Sequence, residues 1–186
     1  MRPSRDQWAM SLAVETSRRA TCLRRAVGAV LLDARGHVMA TGYNGVASGL
    51  PHCNEEEIVY RHLNVREGYN LSVNLGCGVP MTLKSTIEAK DEVVEATEYP
   101  HACPGAQAPS GQNLDGCQAI HAEQNALLQC RDVYAIHTCY TTASPCLTCV
   151  KLLLNTGCVR IVYRELYPQP EALALWASAR RLSEKL

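Results

Sequence analysis

Four residues in the second half of the chain have types and spacings that could do chemistry. His121 and Glu123 form an H-x-E pair in the run AIHAEQNALLQC, and Cys146 and Cys149 form P-C-x-x-C in SPCLTCVKLLL. Two thiolates and one imidazole hold Zn²⁺ and leave the fourth tetrahedral position for water, a catalytic rather than a closed structural arrangement. Glu123 lies two residues past His121 and points elsewhere, so it can stand beside the metal without binding it. A carboxylate there can take a proton from the attacking water, pass it to a ring nitrogen and then help ammonia leave. His121, Cys146 and Cys149 are therefore read as ligands of a catalytic zinc and Glu123 as the proton shuttle. The competing reading is a structural zinc knuckle, or a buried histidine beside two inert cysteines. A lone C-x-x-C would suit that reading; the upstream H-x-E and the proline before the first cysteine do not.

These side chains need particular elements behind them. At a helix start, cysteines three apart turn their sulfurs the same way, and the helix N-terminus favours the thiolate form. Pro145 is expected in the first turn of that helix, where a missing N–H costs nothing. His121 opens a second apolar-periodic run, and AIHTCYTTA between the two reads as a strand. Upstream, Ser4 to Arg19 reads as a packing helix capped by Ser4. Ala26 to Leu32 (AVGAVLL) is a buried-strand run, Asp33 to His37 a turn and Val38 to Tyr43 a second strand, which together make a hairpin. Gly42-Tyr43-Asn44-Gly45 then reads either as an ordinary tight turn or as a turn presenting Asn44 to a ligand. Arg24 and Arg25, where the helix feeds the strand, are either solvated surface or a phosphate contact.

Residues 54 to 100 differ in character. EEEIVYRHLNVREGYN is charged and has room for a short helix, Leu71 to Pro80 reads as a loop, and Lys84 to Glu98 reads as a helix from Ser85. The segment is too short and polar for its own core, so it is expected to be an insertion in one domain spanning 1–186. It would serve as a lid, an oligomer contact or a solvated excursion. Val159 to Tyr163 reads as a strand and Glu171 to Leu186 as an amphipathic helix. The order predicts a three-layer α/β/α domain, with a mixed central sheet and helices on both faces. Both zinc-bearing helix starts would follow loops on one edge of that sheet.

The 186 residues suit one domain, and the 47% hydrophobic content suits a globular one. Lys+Arg and Asp+Glu both number 18, so there is no basic footprint for nucleic acid, while a ligand with one phosphate stays allowed. No signal peptide or long apolar run is present, which predicts a cytoplasmic protein without a membrane partner. Ten cysteines in such a protein point to metal. Cys22, Cys53, Cys103 and Cys117 fall in loops, with His52 and His101 beside two of them. Four of these six could close around a second, structural zinc, or the cysteines could be free. Cys77, Cys130, Cys139 and Cys158 read as small core hydrophobes.

Taken together, AVGAVLL, TGYNG, GLPHC, AIHAEQNALL, TASPCLTC and IVYRELY resemble the deoxycytidylate (dCMP) deaminases of the cytidine deaminase superfamily. The likeness covers most of residues 8 to 53 and 117 to 168. It implies hydrolysis of dCMP to dUMP and ammonia in supply of thymidylate synthesis, making the chain a hydrolase of a cyclic amidine C–N bond. It also implies a structural zinc on Cys22, Cys53, Cys103 and Cys117, beside the catalytic one on His121, Cys146 and Cys149. Arg24, Arg25, Asn44, Ser144 and Tyr167 become substrate or effector contacts, with one of the two arginines on the phosphate. A homo-oligomer, hexamer or dimer, governed by dCTP and dTTP is further implied. The departure is the long segment at 54 to 100, which could reshape the pocket for a 5-modified dCMP or another small cytosine nucleotide or nucleoside. A zinc-stabilised binding protein without turnover is the rival from another class, and Glu123 argues against it because a structural zinc has no use for that carboxylate.

Overall fold

The computed structural model describes residues 1–63, 72–75, 79–82, 92–109, 112–113 and 116–186. The centre is β1, Gly28–Asp33, whose run GAVLL is buried on both faces. A strand without polar alternation must be covered on both sides. Its residues divide accordingly. Val30 and Leu32 pack with Ala9, Met10 and Ala13 of α1, Arg5–Ser17. Ala29 and Leu31 join the larger cluster on the other face, with residues of α2 (Ala122–Gln129), α3 (Leu147–Leu154) and α4 (Pro170–Ser178). Helices thus cover both faces of the sheet, as expected.

The hairpin also forms as expected: β1 pairs antiparallel with β2, Val38–Tyr43. On its other side β1 pairs antiparallel with β9, Ile136–Ala143, which pairs in parallel with β10, Arg160–Glu165. Ser4 caps α1 through a reciprocal pair, accepting from Gln7 N at 3.1 Å while its own N–H donates to Gln7 Oε1 at 2.9 Å.

The chain end departs from the expectation of one helix over 171–186. The helix α4 stops at Ser178, Arg180 adopts a left-handed φ of 57°, and β11, Leu182–Lys185, joins the sheet parallel to β10. The reversal is held by side chains. Trp176 Nε1 donates to Leu182 O at 2.9 Å, and Arg181 donates to Cys158 O at 2.6 Å, Leu154 O at 3.0 Å and Leu153 O at 3.1 Å. The sheet order is β11-β10-β9-β1-β2.

Two further readings are corrected. Asn44-Gly45 is no tight turn: β3, Gly45–Val46, carries the chain on to pair with β8, Ala119–Ile120. In the 54 to 100 segment, strands stand at the described residues where a short helix and a loop were expected. The strand β4, Glu57–Leu63, pairs antiparallel with β7, Glu92–Glu98, and β5, Ser72–Leu75, with β6, Val79–Thr82. The β-branched and aromatic residues of EIVYRHL and EVVEATE favour strands despite their charges. The expected helix from Ser85 is thereby excluded at 92–98, and its start at 83–91 lies outside the described residues. Cys77 also lies outside them.

One close approach sets the position of α2. A Cβ on Gly42 would lie 2.2 Å from Ala122 O and 2.3 Å from Ala126 N, so the helix backbone rests directly on the strand. On the opposite face, a Cβ on Gly28 would lie 2.0 Å from Ala13 O of α1.

Candidate active site

The helices α2 and α3 both begin at one end of the sheet, and each offers its cap residue to a common point. His121 is the N-cap of α2 and Cys146 the N-cap of α3, with Cys149 one turn further on. Pro145 therefore precedes the cap rather than occupying the first turn. His121 is fixed by Gln124, whose Oε1 accepts from the His121 backbone N–H at 2.8 Å, and α3 is anchored where Leu147 N donates to Gln169 Oε1 at 3.1 Å. His121 Nδ1 lies 3.3 Å from Cys146 Sγ and 3.4 Å from Cys149 Sγ. A tetrahedral zinc with ordinary Zn–N and Zn–S lengths requires N···S edges of about 3.5 Å. The donor set and its spacing therefore fit zinc. Among the described residues it is the group of metal-ligating side chains whose donor atoms all lie within 4.8 Å of one another.

Without a metal, the surroundings favour the ligand form at Cys146 alone of the three. The Cys149 thiol donates to Cys146 and, despite burial, pushes it down to about 4, with the His121 ring assisting. Cys149 itself is pushed far up by that bond and by burial, and His121 is raised by its bond to Cys146.

Glu123 lies in the first turn of α2 and is 3% exposed. Burial pushes its carboxyl above the usual carboxylate range, while its own backbone N–H and His121 pull the other way. The hydroxyl of Thr141 on β9 lies 3.3 Å from Glu123 Oε1 and 2.9 Å from Ala143 O, so its one proton is shared between the two. Sequence reasoning missed Thr141, because a threonine in a strand carries no local sign of its partner. It missed Gln124 as well, although a glutamine three residues past a helix cap is a signal that could have found it.

A pocket of about 540 Å³ opens over His121, Glu123 and Cys146. It is lined by all five residues expected to touch a nucleotide: Arg24, Arg25, Asn44, Ser144 and Tyr167. Three of them, Arg24, Asn44 and Ser144, are hydrogen-bonded within the protein itself, Arg24 through Nη1 to Gln112 O at 2.7 Å. Asn44 is buried, accepting from Val27 N at 2.8 Å and donating to Arg25 O at 2.7 Å, and Ser144 Oγ accepts from Tyr167 N at 2.8 Å. Cys22 and Cys117 also line this pocket.

The four loop cysteines gather more loosely. Burial raises Cys53, which shares a hydrogen bond with Cys103, and Cys22 adds to the rise. Burial also raises Cys117, with Cys103 and Cys22 contributing. Cys103 goes the other way: burial opposes, but donation from Gln118 N–H and the Cys53 thiol outweighs it. His52 and His101 are exposed, and His101 Nε2 faces Glu55 Oε2 at 3.9 Å. Cys139 and Cys158 are fully buried and Cys130 packs against the same core cluster.

Comparisons with known proteins agree with this geometry. The family model for the cytidine and deoxycytidylate deaminase zinc-binding region matches residues 3–165. With the His/Cys/Cys cluster, that match identifies zinc as the metal of the site. The deoxycytidylate deaminase of Saccharomyces cerevisiae is 30% identical over 173 residues, covering 92% of this chain and 41% of the yeast protein. The chain thus spans less than half the length of that relative. The deoxycytidylate deaminase of Mycobacterium phage D29 is 29% identical over 163 residues, covering 87% of this chain and 95% of the phage protein. Among solved structures, the dCMP deaminase of cyanophage S-TIM5 in complex with dCMP and dUMP shares the fold, with a TM-score of 0.59 at 19% identity over 100% of this chain and 99% of that one.

Proposed function

Because the chain belongs to the cytidine and deoxycytidylate deaminase family, we propose that it hydrolyses dCMP to dUMP and ammonia. The observation that carries this reading is the buried Glu123 beside the convergent His121, Cys146 and Cys149 at the floor of an open pocket. His121, Cys146 and Cys149 would hold the zinc. When bound, it supplies a Lewis acid that makes water a nucleophile near neutral pH. Glu123 takes a proton from the attacking water at a carboxylate oxygen, delivers it to N3 of cytosine, and later hands a proton to the departing amine. Water's oxygen ends on C4, and the C4–N bond is the one that breaks. Thr141 steers the carboxylate, and burial keeps bulk water away from it.

The reading extends to a second zinc held by Cys22, Cys53, Cys103 and Cys117. Its support is that these thiols perturb one another while His52 and His101 stay exposed. Four sulfurs would close the coordination shell, which suits a structural ion. Metal analysis should find two zinc ions per chain, falling to one in Cys117→Ser; two in that variant would remove Cys117 from the site. By family resemblance the protein would be a single catalytic domain with the 54–100 insertion, forming a cytoplasmic dimer or hexamer that answers to dCTP and dTTP. Among the described residues no helix is long and apolar enough to cross a membrane.

The test is ammonia release by zinc-loaded protein from dCMP, CMP, deoxycytidine, 5-substituted dCMP and dCTP side by side, with and without dCTP or dTTP as effector. Preference for dCMP is expected. Preference for a substituted nucleotide would move the specificity to the 54–100 segment, and release from none would overturn the reading.

A further inference from the structure

We propose that Gln169 is a positioning residue of the zinc centre: from the connection between β10 and α4 it caps the start of α3, and so holds Cys146 and Cys149 where His121 meets them. The proposal rests on the zinc reading of that centre and not on the identity of the substrate.

The cap position of α3 is taken by a metal ligand. A helix start leaves backbone N–H groups without intrahelical partners, and an oxygen-bearing residue at the cap normally accepts from one of them. Here that position belongs to Cys146, which has no side-chain oxygen and whose sulfur lies 3.3 Å from His121 Nδ1. An acceptor comes instead from 22 residues away. Leu147, the first residue of α3, donates its N–H to Gln169 Oε1 at 3.1 Å. The ligand set can therefore open the helix without leaving that N–H unpaired.

Gln169 gives up its own helix to do this. It stands at the cap position of α4, yet no hydrogen bond from its side chain serves α4. The first residue of α4 is Pro170, which removes one of the N–H groups a cap would otherwise serve.

Gln169 is half-buried, and its backbone is pinned as well. Gln169 N donates to Tyr167 O at 2.7 Å, Tyr167 N to Ser144 Oγ at 2.8 Å and Ser144 N to Glu165 O at 2.8 Å. Cys146 is thus flanked. Ser144 before it and Leu147 after it are both hydrogen-bonded to the 165–169 segment. The same segment brings Tyr167 to the pocket, so one strap sets both the metal-bearing turn and a wall of the pocket. Hydrogen bonds that hold a ligand's backbone in place act on the metal through the ligand.

The test is zinc affinity by competition with a chromophoric chelator, joined to the thiolate-to-metal absorption of the cobalt-substituted protein and to urea unfolding of the metal-free protein. The binding lost in His121→Ala is taken as that of this centre, which separates it from any ion on the loop cysteines. Gln169→Met keeps the volume and removes the acceptor. It should lower zinc affinity by about 10-fold and alter the cobalt absorption. Gln169→Glu keeps an acceptor oxygen at the same reach and should restore most of the affinity. A cap that is only structural stabilises metal-free and zinc-loaded protein alike. Its loss would lower the urea midpoint and leave zinc affinity untouched, and that result would overturn the proposal. So would a Gln169→Glu variant that binds zinc no better than Gln169→Met. If Gln169→Met does not fold, Gln169→Asn, one methylene too short, carries the same comparison. Wild-type binding that survives His121→Ala undiminished would overturn the zinc reading and the proposal with it. Normal wild-type binding with no change at Gln169 would overturn the proposal alone.

Discussion

The two ends of the central sheet treat charge in opposite ways. At the end where β1 finishes and β10 begins, Arg160, Asp6 and Glu184 form one paired network. Arg160 Nη1 and Nη2 donate to the two carboxylate oxygens of Asp6 at 2.9 Å each, Arg160 also reaches Glu184, and Tyr140 donates to Asp6 at 2.6 Å. At the other end, Glu123 is buried with a shared hydroxyl, and Arg25 has a buried nitrogen with no acceptor. One end spends its polar groups on each other and gains stability. The other leaves two buried groups, Glu123 and Arg25, short of partners, which costs stability and leaves them available to a ligand.

This contrast can be broken at either end. The largest effect is expected at Glu123. Glu123→Ala should lower kcat for dCMP by about 10²- to 10⁴-fold, retain zinc by metal analysis and leave the thermal midpoint unchanged or higher. Retained activity would remove Glu123 from the mechanism, and a fall in midpoint would show that the active end is built for stability too. At the paired end the effects should reverse. Arg160→Ala leaves Asp6 and Glu184 without their cation and should cost about 2–3 kcal/mol in urea unfolding, with kcat nearly unchanged. A variant that loses turnover but not stability would abolish the contrast. The smallest effect concerns acid. Donation from Arg160 pushes Asp6 down from 3.8 to about 2, Tyr140 assisting against burial. The folded value is the lower one, so the contribution is present above pH about 4 and is lost as pH falls towards 2. Solvent screening leaves it at about 1 kcal/mol. Asp6→Asn should flatten stability between pH 5 and 2 by that amount, and an unaltered slope would show the carboxylate to be uncoupled from folding.

Legibility in the sequence follows the same geography. The ligand set could be read because each residue sits at a fixed step along a helix start, so spacing alone implies convergence. The central strand could be read because GAVLL admits no solvent face. What escaped depended on partners distant in the chain. Thr141 meets Glu123 only through the pairing of strand and helix, and Asn44 looked like a turn because its two backbone partners are 17 and 19 residues away. Glu171 to Leu186 kept a helical pattern with neither glycine nor proline to stop it. Trp176 on Leu182 O, Arg181 on carbonyls 23 to 28 residues back, and pairing with β10 turn its end into a strand. In the 54 to 100 segment, charge was weighed above β-propensity, and cross-strand pairing decided otherwise.

The contact at Gly42 has a consequence for how freely this chain can change. Because α2 rests on bare backbone, the height of His121 and Glu123 above the sheet is set by two main chains rather than by the bulk of any side chain. Substitutions elsewhere along α2 can trade volume with their neighbours without lifting the helix. A methyl at position 42 would act as a wedge under it, raising both functional residues together and away from the two cysteines of α3.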